Sequence, residues 1–167
     1  MRTTSDQCDD KRLSVDELCK LLEDHRKRGE TVVFTNGCFD VIHAGHVRYL
    51  RAAAELGDVL VVGLNSDGSV ARIKGEGRPV YGIDDRVEIL SAFWFIDYLV
   101  VFEEDSVAGT VERVRPDVLV KGGDYQSDDE VVGGTFVKSY GGKVCRVDFA
   151  EGRSTSETIR RMTGKKE

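Results

Sequence analysis

Two histidines three positions apart, His43 and His46, flank Gly45 in the stretch TNGCFDVIHAGHVRYL, residues 35–50. Imidazoles at that spacing share one helix face and can ligate a metal, move protons, donate to a phosphate or fill a solvated first turn. A zinc site wants four ligands, and neither an HExxH pattern nor a set of Cys and His partners accompanies the pair, Cys38 being a lone neighbouring thiol. The context of a serine-type triad is missing as well. What the stretch does provide is a helix start, where unpaired N–H groups and a partial positive charge make a site for an anion. Gly45 lets a ligand approach the backbone, and the imidazoles add donors.

Further polar and basic residues gather in three other stretches: NSDGSVARIKGEGRP (65–79), KGGDYQ (121–126) and EGRSTS (151–156). Lys74 and Arg78 in the first of these, and Arg86 shortly after it, are either solvated surface charges or partners for phosphate, to which an arginine can bind in bidentate fashion. Asn65, Ser66 and Asp67 suit a helix cap, and also lie where they can reach a ligand. Lys121, Gly122, Gly123 and Asp124 make a tight turn with or without a ligand, and Ser154, Thr155 and Ser156 read equally as an N-cap or as phosphate donors.

These residues need a frame. Ser14 followed by Glu17 has capping-box spacing, and Leu18, Leu21 and Leu22 form an apolar stripe, which predicts a helix over about 15–28 closed by Gly29. Short apolar runs then alternate with amphipathic stretches. Strands are expected at TVVFT (31–35), VLVVGL (59–64), YLVVF (98–102), DVLVK (117–121) and KVCRVDF (143–149). Helices are expected at 44–56, from about Ser66, at 84–94, at 106–115 before Pro116, and at 156–162. The stretch 130–142 is weakened by Gly133 and Gly134, though its second half suits a helix ending at Gly141. Strands that are apolar on both faces and alternate with helices imply an open α/β domain, its parallel sheet covered on both sides. In such sheets ligands bind outside the carboxyl ends of the strands, and all four polar stretches leave at that edge.

The 167 residues are enough for one domain with a proper core. Hydrophobic residues make up 40% and charged residues 32%, ordinary for a soluble protein, and no apolar run approaches the roughly 20 residues of a membrane span. The polar N-terminus does not read as a signal peptide, so a cytoplasmic location is expected. A net charge of −6 argues against sequence-independent binding to nucleic acid. Cys8, Cys19, Cys38 and Cys145 are scattered without CxxC spacing and read as reduced thiols.

NGCFDVIHAGH resembles the HxGH signature of the nucleotidylyltransferase superfamily, and EGRSTSETIR resembles its second, Ser/Thr-rich signature. TNGCFDVIHAGHVRYL, VGLNSDGSV, KGEGRPV, FEED, VKGGDY and GRSTS, in that order over about residues 31–162, are together similar to the D-glycero-D-manno-heptose 1-phosphate adenylyltransferases. The resemblance implies a Rossmann-like fold and transfer of AMP from ATP to a heptose 1-phosphate, with Mg²⁺ carried mainly by the nucleotide phosphates and no metal ligands from the protein. It assigns His43, His46 and Lys74 to catalysis. It places Asn36, Gly37, Cys38, Phe39, Gly45, Lys121, Gly122, Asp124, Ser154, Thr155 and Ser156 at the nucleotide, and Asn65, Asp67, Arg78 and Arg86 at the substrate side. The superfamily commonly has Lys or Arg five residues after the first Ser of its second signature; here Ile159 stands there and Arg160 follows.

Many proteins of this type carry the domain behind a sugar kinase. With about 30 residues before the first strand, a separate heptose kinase is expected here, and a homodimer is plausible by resemblance. Residues 1–30 are set apart as an N-terminal helix extension, 31–163 as the transferase domain and 164–167 as a frayed tail. The alternatives are a glycerol-3-phosphate cytidylyltransferase-like or other small-molecule nucleotidylyltransferase, and a non-catalytic nucleotide-binding module.

Overall fold

Runs of Val, Leu and Phe bounded by Gly, Asp and Asn form strands wherever the sequence predicts them. The structure, a computed structural model, describes residues 11–122 and 130–147. The elements run β1 (Arg12–Leu13), α1 (Val15–Lys27), β2 (Val32–Gly37), α2 (Ala44–Ala54), β3 (Val59–Asn65), α3 (Asp67–Lys74), α4 (Ile83–Ser91), β4 (Tyr98–Phe102), α5 (Ala108–Val114), β5 (Val118–Gly122), α6 (Gly134–Ser139) and β6 (Lys143–Val147). The six strands make one sheet in the order β1-β4-β3-β2-β5-β6, every pairing parallel. This is a Rossmann-like α/β arrangement.

Alternation along the strands divides the core into two layers. Val33, Leu60, Val62, Leu64, Leu99, Val118 and Val120 point to the side where Tyr49, Leu50 and Ala53 of α2 and Val87 and Leu90 of α4 pack. Val32, Phe34, Val59, Val61, Val100, Phe102 and Leu119 point to the other, against Leu18 and Leu22 of α1, Val111 and Val114 of α5 and Val137 of α6. Helices lie on the first face where the chain steps from β2 towards β4 and on the second where it crosses towards β6, as a single hand of crossover requires.

Residues 11–30 are woven into these layers. The predicted capping box forms: Ser14 Oγ accepts from Glu17 N–H, and the Glu17 carboxylate accepts from Ser14 N–H at 2.9 Å. Leu18 and Leu22 are fully buried on the sheet. Ahead of them β1, which has no sequence signal, pairs with β4 through Arg12–Leu99 and Leu13–Val100. Helix α5 ends at Arg115, in the left-handed region at φ 47°, directly before Pro116. Helix α6 occupies the second half of the uncertain stretch, between Gly133 and Gly141. The predicted last helix, 156–162, and the end of the last strand beyond Val147 lie outside the described residues.

Candidate functional site

The strand order reverses at β2, which sends the chain to β3 on one side and has β5 on the other. Side chains at the carboxyl ends of β2 and β5 therefore face a crevice that helices on opposite faces leave open. Asn36 and Lys121 meet there, Lys121 Nζ donating to Asn36 Oδ1 at 2.6 Å. Burial pushes the Lys121 ammonium down to about 8, the nearby Cys38 thiol acting in the opposite direction.

Beyond Gly37 the chain turns sharply. Phe39 takes φ 45° and buries its ring, and a Cβ on Gly37 would sit 3.0 Å from Phe39 Cε2. A larger residue at 37 would thus displace the ring on which His46 rests edge-on, 5.4 Å between centroids. His46 stacks in turn on His43, centroids 3.8 Å apart and planes 21° from parallel.

The two imidazoles cap helix α2 between them. His43 Nδ1 accepts from Gly45 N–H at 3.1 Å, and His46 Nδ1 accepts from His43 N–H at 3.3 Å. A neutral imidazole that accepts at Nδ1 carries its proton on Nε2, so each ring is set as an Nε2–H donor. Of the N–H groups that the sequence reading offered directly to an anion, that of Gly45 is taken by the His43 ring and those of His46 and Val47 by the His43 carbonyl at 2.9 and 3.3 Å. Burial, reinforced by the neighbouring His43, pushes His46 down to about 4. His46 is therefore a neutral donor at pH 7.

The second polar stretch folds over the same edge. Helix α3 starts at Ser66, whose Oγ accepts from Ser69 N–H at 3.2 Å, and ends at the exposed Lys74. The chain returns through Arg78–Gly82, fastened from below by two buried charges. Asp40 Oδ1 accepts from Val80 N–H at 2.6 Å and Tyr81 N–H at 3.0 Å, while its Oδ2 accepts from Arg78 Nε at 2.5 Å. Arg86, fully buried, donates to the carbonyls of Cys38 at 2.6 Å, Asn65 at 2.8 Å and Tyr81 at 3.1 Å, and to Asp67 Oδ1 at 2.7 Å. One guanidinium thus joins the ends of β2 and β3, the head of α3 and the return loop.

Cys38 marks where the positive charges meet. Burial raises its thiol pKa, and Lys74, Arg86 and Arg78 all oppose that rise. With Lys121, cations from four separated points of the sequence therefore surround one position. Among the described residues the ion pairs here are Arg78–Asp40 and Arg86–Asp67, and neither Lys74 nor Lys121 takes part in one.

The structure brings together Asn36, Gly37, Cys38, Phe39, His43, Gly45, His46, Asn65, Asp67, Lys74, Arg78, Arg86, Lys121 and Gly122 at this edge. Asn65 and Asp67 look inward: Asn65 Nδ2 donates to Ser69 Oγ at 3.0 Å, and Asp67 holds Arg86 and Ile83 N–H. Asp124, Ser154, Thr155, Ser156 and Arg160 lie outside the described residues. Asp40 is the residue that sequence reasoning passed over. Its only local signal is a carboxylate within an otherwise apolar FDVI, since its partners stand about 40 positions further on. No group of three or more His, Cys, Asp or Glu side chains suited to a metal ion forms among the described residues. No helix there is long and apolar enough to cross a membrane.

Residues 34–158 match the cytidylyltransferase-like family model. The chain is 52% identical over 147 residues to a protein named bifunctional protein HldE from Syntrophotalea carbinolica, an alignment covering 88% of this chain and 30% of that one. It is 49% identical over 153 residues to the protein of the same name from Methylobacillus flagellatus, covering 92% of this chain and 31% of the relative. The chain thus spans about 30% of the length of these curated relatives. A crystal structure of the lipopolysaccharide core biosynthesis protein from Thermoplasma volcanium superposes with a TM-score of 0.60 at 30% identity, covering 75% of this chain and all of that one.

Proposed function

The chain belongs to the cytidylyltransferase-like family, and on that premise we propose that it transfers AMP from ATP to D-glycero-D-manno-heptose 1-phosphate, releasing pyrophosphate and forming ADP-heptose. The observation that carries the proposal is that His43 and His46 each accept a backbone N–H at Nδ1 at the start of α2, which sets Nε2 of each as a donor at the sheet edge that also carries Lys121. The choice of sugar phosphate rests on the succession of segments from TNGCFDVIHAGH to VKGGDY and GRSTS, together with the HldE relatives.

The chemistry asks little of a base. A phosphomonoester has its second pKa near about 6, so the acceptor arrives largely ionised at neutral pH. One of its oxygens forms a bond to the α-phosphorus of ATP. The bond from that phosphorus to the α,β-bridging oxygen breaks, and its electron pair leaves with pyrophosphate. What the protein must supply is alignment of two anions against their repulsion and stabilisation of charge on the departing group. Neutral imidazoles donating through Nε2 stabilise that charge without giving up a proton, and Lys74 and Lys121 offset the repulsion. Arg86, with its nitrogens turned to protein oxygens, is assigned to holding the strand ends in place, and Asn65 and Asp67 act with it. Arg78 retains a phosphate-facing role, developed below.

Mg²⁺ is a hard cation that keeps phosphate oxygens and water as ligands, so we place it on the triphosphate and route no step through it. The heptose phosphate requires a kinase reaction to supply it, which we assign to a separate domain or protein. The test is pyrophosphate release measured with ATP, CTP, GTP and UTP against heptose 1-phosphate, glycerol 3-phosphate and pantetheine phosphate. Release with ATP and heptose 1-phosphate alone is expected. Release with CTP and glycerol 3-phosphate instead would overturn the assignment, and release with no pair would favour a nucleotide-binding module.

A further inference from the structure

Asp40 is a buried carboxylate that the proposed reaction does not use. Its side chain is 1% exposed, and taking an ionised carboxylate out of water costs several kcal/mol unless hydrogen bonds replace the solvent. Here three do so: two backbone N–H groups on Oδ1 and Arg78 Nε on Oδ2. All three partners belong to residues 78–81, whereas Asp40 lies three residues before His43 on the loop that starts α2. The carboxylate therefore couples the histidine pair to the basic return loop. Arg78, 16% exposed, is gripped by Nε alone, and its two terminal nitrogens have no partner among the described residues. Held on Asp40, two residues after Cys38, the guanidinium lies at the mouth of this loop, and its charge, with those of Lys74 and Arg86, opposes the raised pKa of the Cys38 thiol.

We propose that Asp40 is a positioning residue: it holds Arg78 by Nε and thereby aims the two terminal nitrogens of that guanidinium at a bound phosphate group. Gripping an arginine at Nε leaves the Nη1/Nη2 edge, which matches two oxygens of one phosphate. It also fixes a side chain that would otherwise lose considerable rotamer freedom on binding. This inference rests on the reading of the crevice as a phosphate site, but not on the identity of the sugar.

The test reads binding directly, using the full chain with ATP and with inorganic pyrophosphate as probes in titration calorimetry, and thermal unfolding by circular dichroism as the control for folding. In D40N the amide must turn its NH₂ either towards Arg78 Nε–H or towards the two backbone N–H groups, so donor faces donor in both orientations. We expect D40N and R78Q each to weaken pyrophosphate and ATP binding about tenfold, with D40N/R78Q no weaker than the worse single variant. A merely structural Asp40 would give losses that add, because its effect would not pass through Arg78. Additive losses, or wild-type affinity in a folded D40N, overturn the proposal. R78Q keeps it falsifiable if D40N does not fold: wild-type affinity in R78Q overturns it independently. Wild-type protein that binds pyrophosphate but releases none from ATP with any acceptor would fail the proposed reaction while leaving this test readable.

Discussion

His46 sits between a buried phenyl ring and a second imidazole, with its Nδ1 occupied by a backbone N–H. Both conditions disfavour the charged ring, and both follow from short-range spacing, so the placing of two imidazoles side by side at a helix start was legible in HAGH. Its mode was not, because only coordinates show that the rings cap their own helix and turn Nε2 outward. Two predictions belong here. H46A removes a donor that acts on developing charge and should lower kcat by roughly 10²–10³-fold, whereas H46Q, whose amide nitrogen falls near the Nε2 position, should retain part of the rate; steady-state pyrophosphate release compares them. The second concerns pH. The folded pKa of about 4 lies below the ordinary 6.5, so between those values the unfolded chain binds more protons at this residue than the folded one. The associated stability is fully present above pH 6.5 and is lost as pH falls towards about 4. Denaturant unfolding of wild type and H46Q across that window should show wild type losing up to about 3 kcal/mol more than the variant.

Elements whose signal is a period of several residues were the legible ones. The strands at 59–65 and 98–102 and the capped helix from Val15 match their predicted places closely. Helices α4 and α5 are shorter than their amphipathic stretches, because the chain must bend back to the sheet through Phe93–Asp97 and through Arg115–Asp117. Strand β1 was invisible because Arg12 and Leu13 are too few to carry alternation, and only β4 makes them a strand. Leu18 and Leu22 of α1 likewise pack on the sheet through contacts that the spacing within 15–28 does not specify. L22A tests this at the element's own scale. The side chain is fully buried against the sheet, so its truncation should cost about 2–5 kcal/mol in urea unfolding while leaving the rate per folded molecule at 20 °C near wild type.

Across the whole molecule, the distribution of cations is the feature no single stretch reveals. Lys74, Arg78, Arg86 and Lys121 read alike in sequence as basic residues near strand ends. Folding separates them into two that are held by buried carboxylates or carbonyls and two that face no ion-pair partner among the described residues. Lys121 shows the cost of that division. Its folded pKa, about 8 against an ordinary 10.5, means that the folded chain carries a strained ammonium at pH 7. The penalty is complete below about pH 8 and is relieved as pH rises towards 10.5, so wild type should gain up to about 3 kcal/mol relative to K121M over that range. ATP affinity should move the other way, falling as pH rises through about 8 in wild type and staying flat in K121M, as calorimetry at a series of pH values would show. The return loop carries a last consequence. Arg78–Gly82 is bolted down by Asp40 and Arg86, but Gly75 and Gly77, both at positive φ, have nothing within 4 Å of where a Cβ would stand. Trypsin offered the native protein should therefore nick the peptide bond after Lys74 and spare the one after Arg78, which leads into Pro79, and a saturating polyphosphate should slow the cut.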